Sequence, residues 1–167
     1  MLHGSINHVS ITVSDLPKAM RFLTPLLEFL GYTVGKIFHD NRSDHDLTVN
    51  INWANGTAFN VWQAEPGLAD HPFRVYEPGL HHVAFNVEKH EQVDAVHRLV
   101  GELGGEILDG PGEFPFGSGG YYAVYFRAPD GLKFEVVHMP IVEQRAKARG
   151  LLLTESPPDK AAEQRNR

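Results

Sequence analysis

The sequence predicts an α+β fold built from two copies of one βαβββ module. The chain repeats itself once, because residues 6–13 align with residues 80–87 and place His82 of the second copy 74 positions after His8 of the first. The glycines that end the two helical stretches are separated by the same offset. A repeat of this length is far longer than a solenoid unit, so it indicates a duplicated module.

Each copy opens with a strand that has one apolar face and one more polar face. Residues 6–13 and 80–87 alternate with the period of two that is typical of half-buried strands. His8 and His82 both fall on the more polar face, beside small or polar side chains. By the same parity, we expect His81 to face the helix side or the strand edge.

A helix is predicted after each opening strand. In the first copy Ser14 or Asp15 can cap the helix, Pro17 stands in its first turn, and apolar residues recur at the spacing of one helical face. The second helix is predicted over residues 91–103, with a similar apolar periodicity and a stop at two glycines. Both apolar stripes should lie against the apolar side of the sheet.

Three shorter strand-like runs complete each copy. The glycine-rich segment 110–120 between two of them is either a flap over a site or a long hairpin connection. The predicted runs are residues 34–39, 46–53 and 57–63 in the first copy and residues 106–109, 121–127 and 132–138 in the second.

The chain is thus divided into two modules and a terminal extension. The first module covers residues 1–67 and the second covers residues 79–140, with a connector rich in turn formers over residues 68–78. Residues 141–167 are predicted to form a short charged helix followed by a disordered tail, because prolines and polar residues dominate the end.

The composition excludes several classes of function. A formal charge of −6 without any basic run argues against a nucleic-acid partner or an anionic membrane surface, so a small molecule is the expected partner. The absence of cysteine excludes disulfides, thiolate metal sites and cysteine nucleophiles. Neither an export signal nor a membrane-spanning stretch is recognisable, so a cytoplasmic protein is expected.

Two histidines and one carboxylate form a candidate metal site. If the modules pack face to face, His8, His82 and Glu135 can converge on one ion. Glu135 lies in the apolar run 134–137, where an unpaired carboxylate is costly and a cation would remove the cost. Such ligands suit divalent metals and leave about three positions open on an octahedral ion. The alternative is that both histidines are ordinary sheet residues and Glu135 forms a salt bridge.

Several motifs resemble those of the vicinal oxygen chelate superfamily. This group includes glyoxalase I, extradiol dioxygenases, fosfomycin-resistance transferases and bleomycin-binding proteins. The resemblance covers about residues 5–140. The motifs that carry it are Asn7-His8-Val9-Ser10, Asp15-Leu16, His82-Val83-Ala84-Phe85, and Tyr125-Phe126-Arg127-Ala128-Pro129-Asp130-Gly131 leading into Glu135.

The resemblance implies both an architecture and a metal. The two modules are expected to pair in an open, eight-stranded barrel-like sheet with the helices outside. One divalent ion is expected inside, with ligands at the positions of His8, His82 and Glu135. Members of the superfamily pair their modules within one chain or across a homodimer, and both arrangements remain open here.

The resemblance also assigns roles to other residues. Glyoxalase I enzymes use a fourth ligand, a glutamate, where this chain has Asn60, so the three-ligand dioxygenases and fosfomycin-resistance proteins fit better. Both groups place a pocket tyrosine at the position of Tyr125, which implies a hydrogen bond to a chelated oxygen, with simple packing as the alternative. Ser10, Asn60 and Trp62 are expected to line the pocket, although Trp62 can equally belong to the core.

The predicted function is that of an enzyme dependent on one divalent metal ion, Fe(II), Mn(II), Ni(II) or Zn(II). The small substrate would chelate the ion through vicinal oxygens, most specifically in an extradiol-dioxygenase-like reaction. One alternative is a glyoxalase-like lyase. Another is a protein that binds an antibiotic or a metabolite without turnover, as the bleomycin-resistance relatives do.

Overall fold

The computed structural model describes residues 5–71, 73–116 and 120–140, together with Gln144 and Ala148. Within them the chain forms nine strands and two helices. In chain order, these elements are β1 (His8–Val13), α1 (Leu16–Phe29), β2 (Thr33–Val34), β3 (Phe38–Asp40), β4 (His45–Asn52), β5 (Thr57–Gln63), β6 (Val83–Asn86), α2 (His90–Glu102), β7 (Glu106–Phe114), β8 (Tyr121–Arg127) and β9 (Lys133–His138).

The first module forms a sheet in which β1 is an edge strand. The strand order is β1-β5-β4-β2, and β3 also pairs with β4. β1 runs parallel to β5, in a register that places Ser10 opposite Asn60. Helix α1 and strands β2 to β4 form the long connection that this parallel pair needs. Its cap is Asp15, whose carboxylate accepts a hydrogen bond of 2.8 Å from the backbone N–H of Lys18.

The second module repeats this topology in a separate sheet. Its order is β6-β9-β8-β7, with β6 at the edge and parallel to β9. Strand β7 extends as far as Phe114, which pairs with Tyr121 of β8. This pairing favours the hairpin interpretation of segment 110–120, of which residues 117–119 are not described.

The helices and the apolar faces of both sheets share one hydrophobic core. The Phe59 ring of β5 lies 5.6 Å from Phe85 of β6 and 6.2 Å from Phe134 of β9, between ring centroids. Phe22 of α1 lies 6.3 Å from Phe126 of β8. Because side chains of a strand alternate between its two faces, the polar face of each sheet points away from this core.

Gly105 lies where the two helices approach each other. A Cβ atom at this position would lie 2.7 Å from Cγ1 of Val100 and 2.8 Å from Cε2 of Phe22. Both distances are shorter than van der Waals contact. The glycine predicted to end the second helix is therefore also required by the packing between α1 and α2.

The α+β class and the repeated modules are confirmed, but the sheet architecture differs from the expected one. In the described residues of one chain the strands form two sheets, of five and four strands, rather than one barrel-like sheet. The physical reason is that both sheets bury their apolar faces in the same core. The strand predicted over residues 34–39 is two short strands, β2 and β3.

Some sequence-based expectations fall outside what the structure describes. The helix and tail predicted over residues 141–167 lie outside the described residues, apart from Gln144 and Ala148. The module limits stay predictions, although β5 ends at Gln63 and β6 begins at Val83. Among the described residues, neither helix has the length and apolar character needed to cross a bilayer.

Candidate metal centre

A histidine and a glutamate meet on the polar face of the second sheet. His82 precedes β6, and Glu135 of β9 lies opposite Ala84 of β6. The His82 Nε2 atom lies 3.0 Å from Glu135 Oε2. The side chain of Glu135 is only 2% exposed and that of His82 is 29% exposed. A buried carboxylate needs polar partners, so this pairing is significant for the fold as well as for a candidate site.

Two tyrosines complete the surroundings of Glu135. The Tyr121 hydroxyl donates a hydrogen bond to Glu135 Oε1, and the Tyr125 hydroxyl donates to that of Tyr121 over 3.4 Å. Burial raises the pKa of both hydroxyls, that of Tyr125 well above its ordinary value, so both remain protonated donors at neutral pH. The sequence analysis missed Tyr121, although strand parity places it on the same face as Tyr125.

His81 contacts His82 instead of facing the helices. The two Nδ1 atoms are 2.6 Å apart, so one ring donates a hydrogen bond to the other. Of the two directions expected for His81, the helix side does not agree with its place in the cavity lining, because β6 begins only at Val83 and strand parity does not extend to a residue before the strand. The other direction, toward the strand edge, stays a prediction. Burial lowers the pKa of His81, and the positive charge of Lys133 lowers it further. His81 thus holds one side of the His82 ring.

His8 lies elsewhere in the single chain. It is an exposed residue of β1, and its Nδ1 atom lies 2.9 Å from Oδ1 of Asn7. The described part of the chain contains no group of three His, Cys, Asp or Glu side chains arranged to hold one metal ion. One chain therefore brings together His82 and Glu135 but does not bring His8 to them.

The residues expected to line the pocket lie on the first sheet. Asn60 Nδ2 donates a hydrogen bond of 3.3 Å to Ser10 Oγ. Asn60 Oδ1 is buried and has no hydrogen-bond partner within the described residues. Trp62 lines a cavity of about 620 Å³ beside the ends of β1 and β5. Thus the single chain does not place these three side chains around His82 and Glu135.

A larger cavity, of about 910 Å³, opens over His82 and Glu135. Its volume falls in the range of sites for small organic molecules. Two of its wall rings, Phe114 and Tyr125, have centroids 5.1 Å apart at an interplanar angle of 85°. The phenylalanine and tyrosine side chains that line the cavity are Phe73, Tyr76, Phe114, Phe116, Tyr121 and Tyr125.

Solved structures of bacterial proteins share this fold. A glyoxalase-like protein from Bacillus halodurans is 27% identical, with a TM-score of 0.66 over 82% of this chain and 97% of that one. The fosfomycin resistance protein FosX from Listeria monocytogenes has been crystallised as a mutant with Mn(II) and 1S,2S-dihydroxypropylphosphonic acid. It is 20% identical, with a TM-score of 0.56 over 86% of this chain and 98% of that one, a likeness in fold alone.

Sequence comparison gives a consistent result. The uncharacterized protein YqjT of Bacillus subtilis (strain 168) is 29% identical over 134 residues, which are 79% of this chain and 97% of the relative. A model of the Glyoxalase/Bleomycin resistance protein/Dioxygenase superfamily matches residues 5–136, which include both helices and nearly all of both sheets. The resemblance inferred from the sequence motifs is confirmed: the chain belongs to the glyoxalase/bleomycin resistance protein/dioxygenase superfamily.

Proposed function

We propose that the protein is a metal-dependent enzyme whose small substrate chelates one divalent cation through two adjacent oxygens. The observation that carries this proposal is the buried carboxylate of Glu135, placed 3.0 Å from the His82 imidazole in a cavity with aromatic walls. A nearby cation would stabilise that carboxylate. Imidazole nitrogen and carboxylate oxygen are suitable donors for Fe(II), Mn(II), Ni(II) and Zn(II).

The third protein ligand in this proposal is His8 of a second copy of the chain. β1 and β6 are the edge strands of their sheets, and His8, Ser10 and Thr12 are exposed on the polar face of β1. A two-fold axis would place the polar face of one copy's first sheet over the cavity of the other copy's second sheet. The same operation would create a second, identical site. A homodimer thus supplies what the single chain lacks.

The side chains around the cavity have separate roles in this proposal. A bound cation supplies Lewis-acid stabilisation of negative charge on the chelated oxygens of the substrate. Tyr121 holds one oxygen of Glu135 and leaves Oε2 directed at His82. His81 contacts Nδ1 of His82 and thereby orients the ring with Nε2 toward Glu135. The Tyr125 hydroxyl would exchange its long, 3.4 Å hydrogen bond to Tyr121 for one to a substrate oxygen.

Extradiol-type cleavage of a catechol is the specific reaction that we propose. Two histidines and one carboxylate with open positions are typical of non-haem Fe(II) oxygenases. In an extradiol reaction both atoms of dioxygen would be incorporated into the cleaved catechol. The amide of Asn60 favours this reaction over glyoxalase-type isomerisation, because an amide cannot remove a proton from carbon. That amide instead donates a hydrogen bond to Ser10.

A turnover assay on protein loaded separately with each of the four metal ions tests the proposal. We expect oxygen uptake and a ring-cleavage product from catechols with Fe(II) or Mn(II), and loss of both in Glu135→Ala. The matched control is His39→Gln, because His39 also contacts a carboxylate, that of Asp46, but does so on an exposed surface. Isomerisation of an oxoaldehyde without oxygen uptake would favour the lyase. Tight ligand binding without turnover would favour the binding protein.

A further inference from the structure

From the charges around the cavity we infer that the substrate is an aromatic carboxylate with two adjacent ring oxygens, and that Lys133 binds its carboxylate. This inference rests on the proposed function, because it places the adjacent oxygens at the His82–Glu135 pair. It adds a class of substrate and a residue that selects it. The position of Lys133, the charges near it and the shape of the cavity walls support it.

Lys133 lies on the same face of the sheet as Glu135. The two residues are separated by one position on β9, so their Cα atoms are about 7 Å apart along the strand. This separation is close to the width of a substituted benzene ring. A ring with its adjacent oxygens at Glu135 therefore directs a substituent on its opposite edge toward Lys133.

Lys133 is the cation in this cavity that lacks a carboxylate partner within the described residues. The guanidinium of Arg127 pairs with Glu106, and that of Arg74 lies 3.3 Å from Glu77. The ammonium of Lys133 instead lies over the Tyr125 ring, 5.1 Å from its centroid. A cation–π contact at a half-exposed site is weak, so the ammonium can bind an incoming anion.

The nearby carboxylate of Asp109 does not neutralise Lys133. Asp109 also lines the cavity, but it is exposed, and its Oδ1 atom accepts a hydrogen bond of 2.8 Å from the backbone N–H of Gly110. No ion pair within 4.0 Å joins it to Lys133 in the described part of the chain. The positive potential beside Glu135 therefore remains available to a ligand.

The walls of the cavity fit a planar body. The rings of Phe114 and Phe116 are almost parallel, with an interplanar angle of 3°, and both meet the Tyr121 ring edge to face. Phe116 is 53% exposed, so its ring is accessible from the cavity. An aromatic ring in this cavity would cover it and gain edge or stacking contacts.

The test is a binding titration of Zn(II)-loaded protein, in which no redox turnover occurs. Protocatechuate, a catechol that carries a carboxylate, is compared with catechol and with benzoate. We expect protocatechuate to bind about tenfold more tightly than catechol, since a charge-assisted hydrogen bond to Lys133 is added. Lys133→Gln should abolish this preference without changing the affinity for catechol. Lys133→Arg should retain it, and so should the control Lys36→Gln on an exposed loop.

The possible results separate this inference from the proposed function. Equal binding of protocatechuate and catechol, or a preference that survives in Lys133→Gln, would overturn the role of Lys133 and leave the metal site intact. Benzoate that binds as tightly as protocatechuate would also overturn it, because chelation would then contribute nothing. If neither protocatechuate nor catechol bound to the Zn(II)-loaded protein, the proposed function would fail, and the inference would fail with it.

Discussion

Substitution of Glu135 by glutamine tests the proposed metal site through stability, without any need for a known substrate. The glutamine side chain has the same shape, and its amide oxygen can still accept the hydrogen bond from Tyr121. The fold should therefore survive. The substitution removes the negative charge that would offset a dication. Because the side chain is only 2% exposed, water cannot take the place of that charge.

The expected effect follows from ligand linkage. A cation present at about one hundred times its dissociation constant stabilises the native state by about 2.7 kcal/mol. For a chain of 167 residues, 1 kcal/mol shifts the melting temperature by about 2–4 °C. The melting temperature of the wild type should thus rise by about 5–11 °C with saturating metal, and that of Glu135→Gln by less than about 2 °C.

Thermal melts of chelator-treated protein, titrated with each metal ion, provide the assay. Glu106→Gln is the matched control, since Glu106 is a carboxylate of the same sheet that is 60% exposed and pairs with Arg127. The Glu106→Gln variant should show the same metal-dependent rise in melting temperature as the wild type. An equal rise in the wild type and in Glu135→Gln would refute the reasoning, and so would a wild type that no ion stabilises.

Three further substitutions test other parts of the account. Burial raises the pKa of Asp130, so its contribution to stability falls as pH rises from the ordinary carboxyl value through the raised one. Asp130→Asn should therefore raise the melting temperature slightly at pH 7, where the buried carboxylate is ionised, and should not raise it below about pH 4. A change in melting temperature that is the same at both pH values would contradict burial of the charge as its cause. Gly105→Val should lower the free energy of unfolding in urea by about 1–3 kcal/mol, because the new side chain would overlap the Phe22 ring. An unchanged free energy of unfolding would show that α1 and α2 can move apart without cost. Tyr121→Phe should lower the free energy of unfolding of the metal-free protein by about 1–3 kcal/mol, because the Glu135 carboxylate loses a hydrogen-bond donor. An unchanged free energy of unfolding would mean that water replaces the hydroxyl.

The elements of each module could be predicted from local patterns. Strand periodicity identified the faces of β1 and β6, and the cap residue Asp15 and the glycine after each helix located the helix ends. The prediction that His8, His82 and Glu135 share a site came from the repeat and from an unusual carboxylate in an apolar strand, and it assumed that the two modules pack face to face. The strand periodicity and the helix caps are local signals, so the elements that they predict do not depend on how the sheets pack.

The relation between the modules could not be predicted in this way. Periodicity shows which face of a sheet is apolar, but not whether the two apolar faces will share one core. That choice depends on contacts such as Phe59 with Phe134, between residues far apart in sequence. The packing of both apolar faces into one core separates His8 from His82 within a chain. The contacts of His81 with His82 and of Lys133 with the Tyr125 ring were not predicted for a related reason, because they depend on a strand boundary and on the packing of neighbouring strands.

The central claim is that His82 and Glu135 of one chain hold a divalent ion together with His8 of another. It is tested most directly by counting the metal in a heterodimer of His8→Ala and Glu135→Ala chains, purified through two different tags. Sharing across the dimer predicts about two ions per wild-type dimer, about one per heterodimer and almost none in either variant homodimer, since one heterodimer site regains all its ligands. A heterodimer without metal, or variant homodimers that retain it in full, would contradict the claim.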